Sequence, residues 1–322
     1  MRLSTFRRPD GSEGVGVWLG ERLHPVPGAE RLTDLLGDDG SRLRAAARAA
    51  AGQPGAEPSD LELLAPVPAP PSIRDFMAFE EHMVTGSAAI GLTFDPLWYD
   101  LPGFYFTNPA AVRGPHAEIA VPPGSAALDY ELEVAAVIGR AGADLTPGEA
   151  ADHIAGFMLF CDWSARDLQA AEMRLNIGPA KGKDSANSFG PWLTTADELA
   201  PLASGRGYDV TLTASVNGAR YSSGNLADLY WSFGEMISYA SRGTTVRPGD
   251  IICSGTVGTG CILELSQVHG AEAYPYLHPG DLVRLEGGLL GAIEARIVAG
   301  RPAPALRPAA DDRERARPGS PL

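Results

Sequence analysis

The sequence predicts a β-rich α/β fold, and three observations predict it. Short apolar runs recur from Glu118 onward, at EIAVP, LEVAAVIG, FMLFC, DVTLTASVNG, IICSG, ILEL, LVRLEG and AIEARIVAG. Turn signals such as PPG, PG and NG separate them. Helical patterns are few, chiefly Pro147–His153, Ser164–Met173 and Leu226–Ser241. Many strands with few helices exclude a doubly wound parallel sheet and leave mixed sheets.

In chain order, residues 1–71 read as a small N-terminal α+β domain with its linker. RLSTFR and GVGVWLG suggest short antiparallel strands between Gly-rich turns. SRLRAAARAAAG (Ser41–Gly52) opens on a cap-type Ser and closes on Gly, so it reads as a helix. APVPAPPS (Ala65–Ser72) is too Pro-rich for regular helix or central strand and reads as a linker. Residues 72–302 form the main domain. Residues 303–322 are Pro- and charge-rich with little to bury and read as a disordered tail.

Composition narrows the function classes. The chain has 322 residues, 44% hydrophobic and 20% charged, a globular balance. With 26 basic against 40 acidic residues the net charge is −14, which excludes nucleic acid as a partner. Cys161, Cys253 and Cys261 are too few and wrongly spaced for a disulfide framework or zinc cluster. No apolar run follows the basic N-terminus, and none is long enough to span a bilayer. The expectation is a cytoplasmic protein with a small-molecule partner and no membrane. Of the 26 basic residues only Lys181 and Lys183 are Lys, both within AKGKD. Where Lys survives so strong a bias toward Arg, the site calls for a compact ammonium rather than a planar fork.

Five motifs carry candidate chemistry. In LDYELEVAAVIG, Glu131 and Glu133 project to one face of a strand. They are either solvated glutamates on an edge or a carboxylate pair around a hard cation. In FMLFCDWSARDLQAAE, Asp162 ends a strand just before a helix on which Arg166 and Gln169 share a face. An N-cap is the other reading of Asp162, and Asp167 fits the first turn of that helix. GPAKGKDSANSFGPW is a loop holding both lysines. In IRDFMAFEEHM, Asp75 and His82 are two helical turns apart, with Glu80 and Glu81 placed to polarise the histidine. CSGTVGTG is a hydroxyl-rich turn after a strand, a weak anion-binding signal.

DYELE, DWSARDLQ, GPAKGKD, SGTVGTG and PGDLVRLEG, in this order between Ile73 and Val298, resemble the fumarylacetoacetate hydrolase family. The resemblance implies mixed β-sheets wrapped into a roll, and a homodimer. It implies a divalent metal, Mg²⁺ first with Mn²⁺ or Ca²⁺ as alternatives. Its ligands fall on Glu131, Glu133 and Asp162, with Asp75 nearby or coordinating. The catalytic histidine falls on His82. The oxyanion-stabilising residues fall on Arg166, Gln169 and Lys183, and the substrate-holding ones on Thr256 and Tyr105. Lys181 is expected to bind substrate, hold the loop or meet a metal-bound carboxylate. Met77 and Met173 stand where fumarylacetoacetase has tyrosines, so the far end of the substrate is read differently here.

These parts suggest hydrolytic cleavage of a C–C bond in a β-diketone or acylpyruvate-type oxo acid. His82, helped by Glu81 or Glu80, would activate water, and a metal-bound enolate would leave. Isomerisation, decarboxylation or dehydration of a 2-oxo acid uses the same machinery without that attack.

Overall fold

The computed structural model describes residues 1–89 and 93–305. Alternation of side chains along a central strand organises the whole chain. Leu132–Ile138 is buried at every position, as a strand covered on both faces must be. Leu132, Val134, Ala136 and Ile138 face one core, shared with Leu212, Leu285 and Ile293. Ala135 and Val137 face a second core, shared with Leu3, Val15, Met158 and Phe160.

Two mixed sheets follow from this. The larger has 12 strands. Its main path runs Arg22–Pro25, Glu13–Leu19, Arg2–Arg7, Leu193–Thr195, Ile154–Asp162, Leu132–Ile138, Ile251–Cys253, Ile73–Phe76, Phe104–Thr107. All neighbours on it are antiparallel except Ile251–Cys253 with Ile73–Phe76. The smaller runs Ala219–Asn225, Thr211–Val216, Leu282–Glu286, Ala292–Val298, Ile119–Ala120. Its first hairpin turns at Asn217 (φ 51°) and Gly218 (φ 82°), the left-handed pair that an NG turn favours.

Most expected strands are present, and the differences have physical reasons. Residues 1–71, read as a separate domain, extend the larger sheet through pairing of Arg2–Arg7 with Leu193–Thr195. In the linker segment, Ala65 and Val67 are buried in the second core. ILEL, read as a strand, is the start of helix Ile262–His269; four residues were too short a run to separate the two. Ser41 is the first helical residue rather than the cap, which is Gly40. The helices expected from Ser164 and Leu226 begin at Arg166 and, after a 3₁₀ turn, Phe233. Residues 306–322 of the expected disordered tail lie outside the described residues. Among the described residues no helix is long and apolar enough to cross a membrane.

Phe160 stacks on Phe189 at 4.7 Å between ring centroids and is fully buried beside the strand end at Asp162. Phe160→Ala should cost about 3–5 kcal/mol of stability, read as a lowered midpoint in urea unfolding.

Candidate active site

Sheet register collects the acidic residues. Asp75 pairs with Tyr105 on one side and Cys253 on the other, and Cys253 pairs with Ala135. Glu133 pairs with Phe160, and the Asp162 N–H donates to the Glu131 carbonyl at 3.3 Å. Directly paired residues share a face, and so do residues two apart. Tyr105, Asp75, Glu133, Glu131 and Asp162 therefore stand in one row across four strands and their continuations. Asp129 extends it by the same period of two, and its Oδ2 accepts from Arg166 Nε at 2.8 Å.

Asp75, Glu133 and Asp162 each bring one carboxylate oxygen within 4.8 Å of the others. All three are buried, and Asp75 Oδ1, Glu133 Oε2 and Asp162 Oδ1 have no hydrogen-bond partner. A buried carboxylate oxygen without a donor is costly. With one oxygen of each drawn within 4.8 Å of the other two, the three carboxylates form an all-oxygen donor set for a hard divalent cation. Glu131 stands beside this set rather than in it. Its Oε1 accepts from Arg166 Nη2 at 2.8 Å, and its Oε2 meets Lys183 Nζ. The resemblance set Asp75 nearby or coordinating, and its carboxylate stands inside the cluster.

The cations of the site are fixed by the same row. Lys183, 3% exposed, lies between Glu131 and Asp162, 2.7 Å from Asp162 Oδ2. Gly182 lets that turn sit on the helix of Gln169: a Cβ there would come within 2.6 Å of the Gln169 nitrogen. Arg166 spreads its guanidinium over Asp129, Gln169 (Oε1 at 3.1 Å) and Glu131. Thr256 is buried and points at Glu133 Oε1 from 3.4 Å. Gly255 (φ 78°) leaves room for the Phe76 carbonyl, 2.3 Å from where a Cβ would stand. The Tyr105 hydroxyl is 3.0 Å from Asp75 Oδ2 and also meets Asp162. Lys181 is not part of this. Its ammonium pairs with Asp184 and its side chain is 71% exposed, so it serves the loop and not the row.

His82 is reached by tertiary packing, not by helical spacing from Asp75. Asp75 is in a strand, and His82 is on helix Glu80–Ala89. Its neighbour is Glu264, with Nδ1 to Oε2 at 3.1 Å, close but not aligned as a hydrogen bond. Glu80 instead accepts from the Tyr99 hydroxyl, and Glu81 lies against Gly258. Glu264 rides on helix Ile262–His269, whose first two N–H groups donate to Asp129 at 2.8 and 3.0 Å. The sequence reading missed both acids. For Asp129 a signal existed, the period-two series Asp129, Glu131, Glu133. For Glu264, 182 positions from His82, there was none.

Six buried carboxylates, Asp75, Asp129, Glu131, Glu133, Asp162 and Glu264, face the buried cations Lys183 and Arg166. The excess shows in the titration. Burial and the charge of Asp162 push Asp75 well above its ordinary value. Burial and the charge of Asp75 do the same to Glu133. Burial pushes Asp162 up to about 6 against the pull of Lys183. Burial would raise Glu131 too, but Lys183, Arg166 and His82 outweigh it and hold it below the usual carboxylate range. Burial lowers His82, and Glu264 overcomes this and raises it.

The family model of the fumarylacetoacetate (FAA) hydrolase C-terminal domain matches residues 72–298. Arabidopsis thaliana fumarylacetoacetase is 28% identical over 247 residues, which is 60% of this chain and 58% of that protein. The chain thus spans little more than half the length of that relative. Human mitochondrial oxaloacetate tautomerase is 28% identical over 309 residues, 92% of each chain. A solved structure of maleylpyruvate hydrolase from Sphingobium sp. SYK-6, in complex with manganese(II) and pyruvate, superposes with a TM-score of 0.69 at 23% identity. That match covers 94% of this chain and all of that one.

The cluster predicts its own titration. With folded values raised, Asp75, Glu133 and Asp162 favour the fold at acid pH and lose that contribution as pH rises, for Asp162 from 3.8 through about 6. A bound cation removes the repulsion. Millimolar Mg²⁺ or Mn²⁺ should raise Tm above pH 6, EDTA should reverse it, and the increment should shrink as pH falls through about 6. Asp75→Asn or Glu133→Gln should abolish most of the increment; an increment that survives both would place the ion elsewhere.

Proposed function

The chain belongs to the fumarylacetoacetate hydrolase family, and we propose that it is a divalent-metal-dependent hydrolase cleaving a C–C bond in an acylpyruvate or related β-diketone acid. The observation that carries the reading is the pairing of an orphaned carboxylate triad with a histidine backed by a buried acid. Asp75, Glu133 and Asp162 would hold the ion, with Glu131 adjoining it. When bound, Mg²⁺ or Mn²⁺ would supply Lewis-acid polarisation of a dicarbonyl.

The protein's own residues then divide the remaining work. His82 accepts a proton from water at Nε2, and Glu264 steadies the imidazolium from the Nδ1 side. The hydroxide attacks the carbonyl carbon of the bond to be broken. Arg166, Gln169 and Lys183 surround the oxygen that gains charge, and their partners on the row hold them in place before the substrate arrives. Thr256 and Tyr105 orient the substrate beside the triad. The C–C bond breaks toward the enol-forming half, and a proton returns to that carbon or oxygen from the site.

A second reading is favoured by one observation. The human oxaloacetate tautomerase matches over 92% of both chains, whereas the Arabidopsis fumarylacetoacetase is matched over 58% of its length. Proton transfer on a 2-oxo acid without water attack would need the triad but not His82 as base. Turnover of acylpyruvates and of oxaloacetate, with Mg²⁺ and with EDTA, separates the two. On the hydrolytic reading His82→Ala loses about 10²–10⁴ in acylpyruvate turnover. Near-normal turnover by that variant rejects hydrolysis by this route. Lys183→Arg should keep the fold and lose about 10²–10³ in turnover, because a planar guanidinium does not reproduce the compact charge that Lys183 sets between Glu131 and Asp162.

We also propose a homodimer. Strand Phe104–Thr107 ends the larger sheet and leaves Phe106 63% exposed, an edge that calls for cover. Light scattering at micromolar concentration should give twice the chain mass of 33.8 kDa; a monomer mass rejects it.

A further inference from the structure

Beside the all-oxygen triad the structure builds a second, chemically different set. Glu264 Oε2 is 3.1 Å from His82 Nδ1 and 3.4 Å from Cys261 Sγ. One ligand atom from each of the three residues lies within 4.8 Å of the other two. Cys261 and Glu264 are buried, and His82 Nδ1 is itself a buried atom without a hydrogen-bond partner. Asp129 fixes the helix start that presents Cys261 and Glu264, so two of the three ligands are held before any ion arrives.

We propose that His82, Cys261 and Glu264 form a site for a softer divalent cation of the zinc type, and that filling it switches off His82. Tetrahedral zinc with bonds of about 2.0–2.1 Å to nitrogen and oxygen and about 2.3 Å to sulfur sets N···O at roughly 3.3 Å and S···O at roughly 3.5 Å. The observed 3.1 and 3.4 Å are close to those edges. Imidazole and thiolate favour zinc strongly over magnesium, whereas three carboxylates suit magnesium and manganese without a soft donor to favour zinc, so the two sites differ in softness. Binding releases the Cys261 thiol proton to solvent, and a water completes the fourth position. Coordination through Nδ1 leaves the imidazole proton on Nε2, which then has no lone pair to take a proton from water. That last consequence rests on the proposed role of His82; the site does not.

Co²⁺, added to the full chain saturated with Mg²⁺, tests the site without substrate. Wild type should develop a thiolate-to-cobalt charge-transfer band in the near ultraviolet together with strong visible tetrahedral bands. Cys261→Ser should lose the charge-transfer band and keep its Mg²⁺-dependent Tm increment. Should that variant fold poorly, His82→Ala should raise the Co²⁺ concentration for half-maximal absorbance at least about tenfold. Zn²⁺ should displace Co²⁺ and inhibit turnover, with half-inhibition shifted upward at least about tenfold in Cys261→Ser relative to its own uninhibited rate. No charge-transfer band in wild type, or the same band in Cys261→Ser, overturns the site. A band lost in Cys261→Ser without zinc inhibition upholds the site and removes His82 as the base.

Discussion

Too many carboxylates are buried in one place for the protein to hold them unaided, and much of the structure is an answer to that constraint. An ionised carboxylate in a low-dielectric interior is costly unless paired. Lys183 and Arg166 satisfy Glu131, Asp129 and one oxygen of Asp162. Asp75 Oδ1, Glu133 Oε2 and the other oxygen of Asp162 are left over. Protonation is one way out, and the raised values of Asp75 and Glu133 express it. A divalent cation is the other, and it keeps the oxygens ionised at neutral pH.

That excess is possible only because the sheet is covered on both faces. Leu132–Ile138 spends its even positions on one core and its odd positions on the other. The face carrying Ala135, Val137, Met158 and Phe160 also carries Glu131, Glu133 and Asp162 toward the strand ends. Residues 1–71 contribute Leu3, Val15, Leu32, Leu43, Ala46 and Val67 to the second core on that face.

Much of this was legible in the sequence. Period-two spacing put Glu131 and Glu133 on one face, and the lone surviving lysines marked the loop that delivers Lys183. The same period, carried back one step, would have reached Asp129. Three things were not legible from residue spacing and composition alone. Asp75 joins the triad through a parallel pairing with Cys253, some 180 positions away in sequence, and register between distant strands leaves no local trace. Glu264 reaches His82 because helix Ile262–His269 packs against helix Glu80–Ala89. Composition alone marked Lys181 and Lys183 alike, and only the resemblance separated them; the tight turn Lys181–Lys183 turns one ammonium outward and the other in.

The account's central claim is that the three orphaned oxygens share one cation. Crystals grown with Mn²⁺, measured for anomalous scattering at the manganese edge, test it most directly. The account predicts one strong peak per chain within about 2.0–2.4 Å of Asp75, Glu133 and Asp162. A peak held by other residues, or carboxylates that turn away from one another with manganese present, would contradict it.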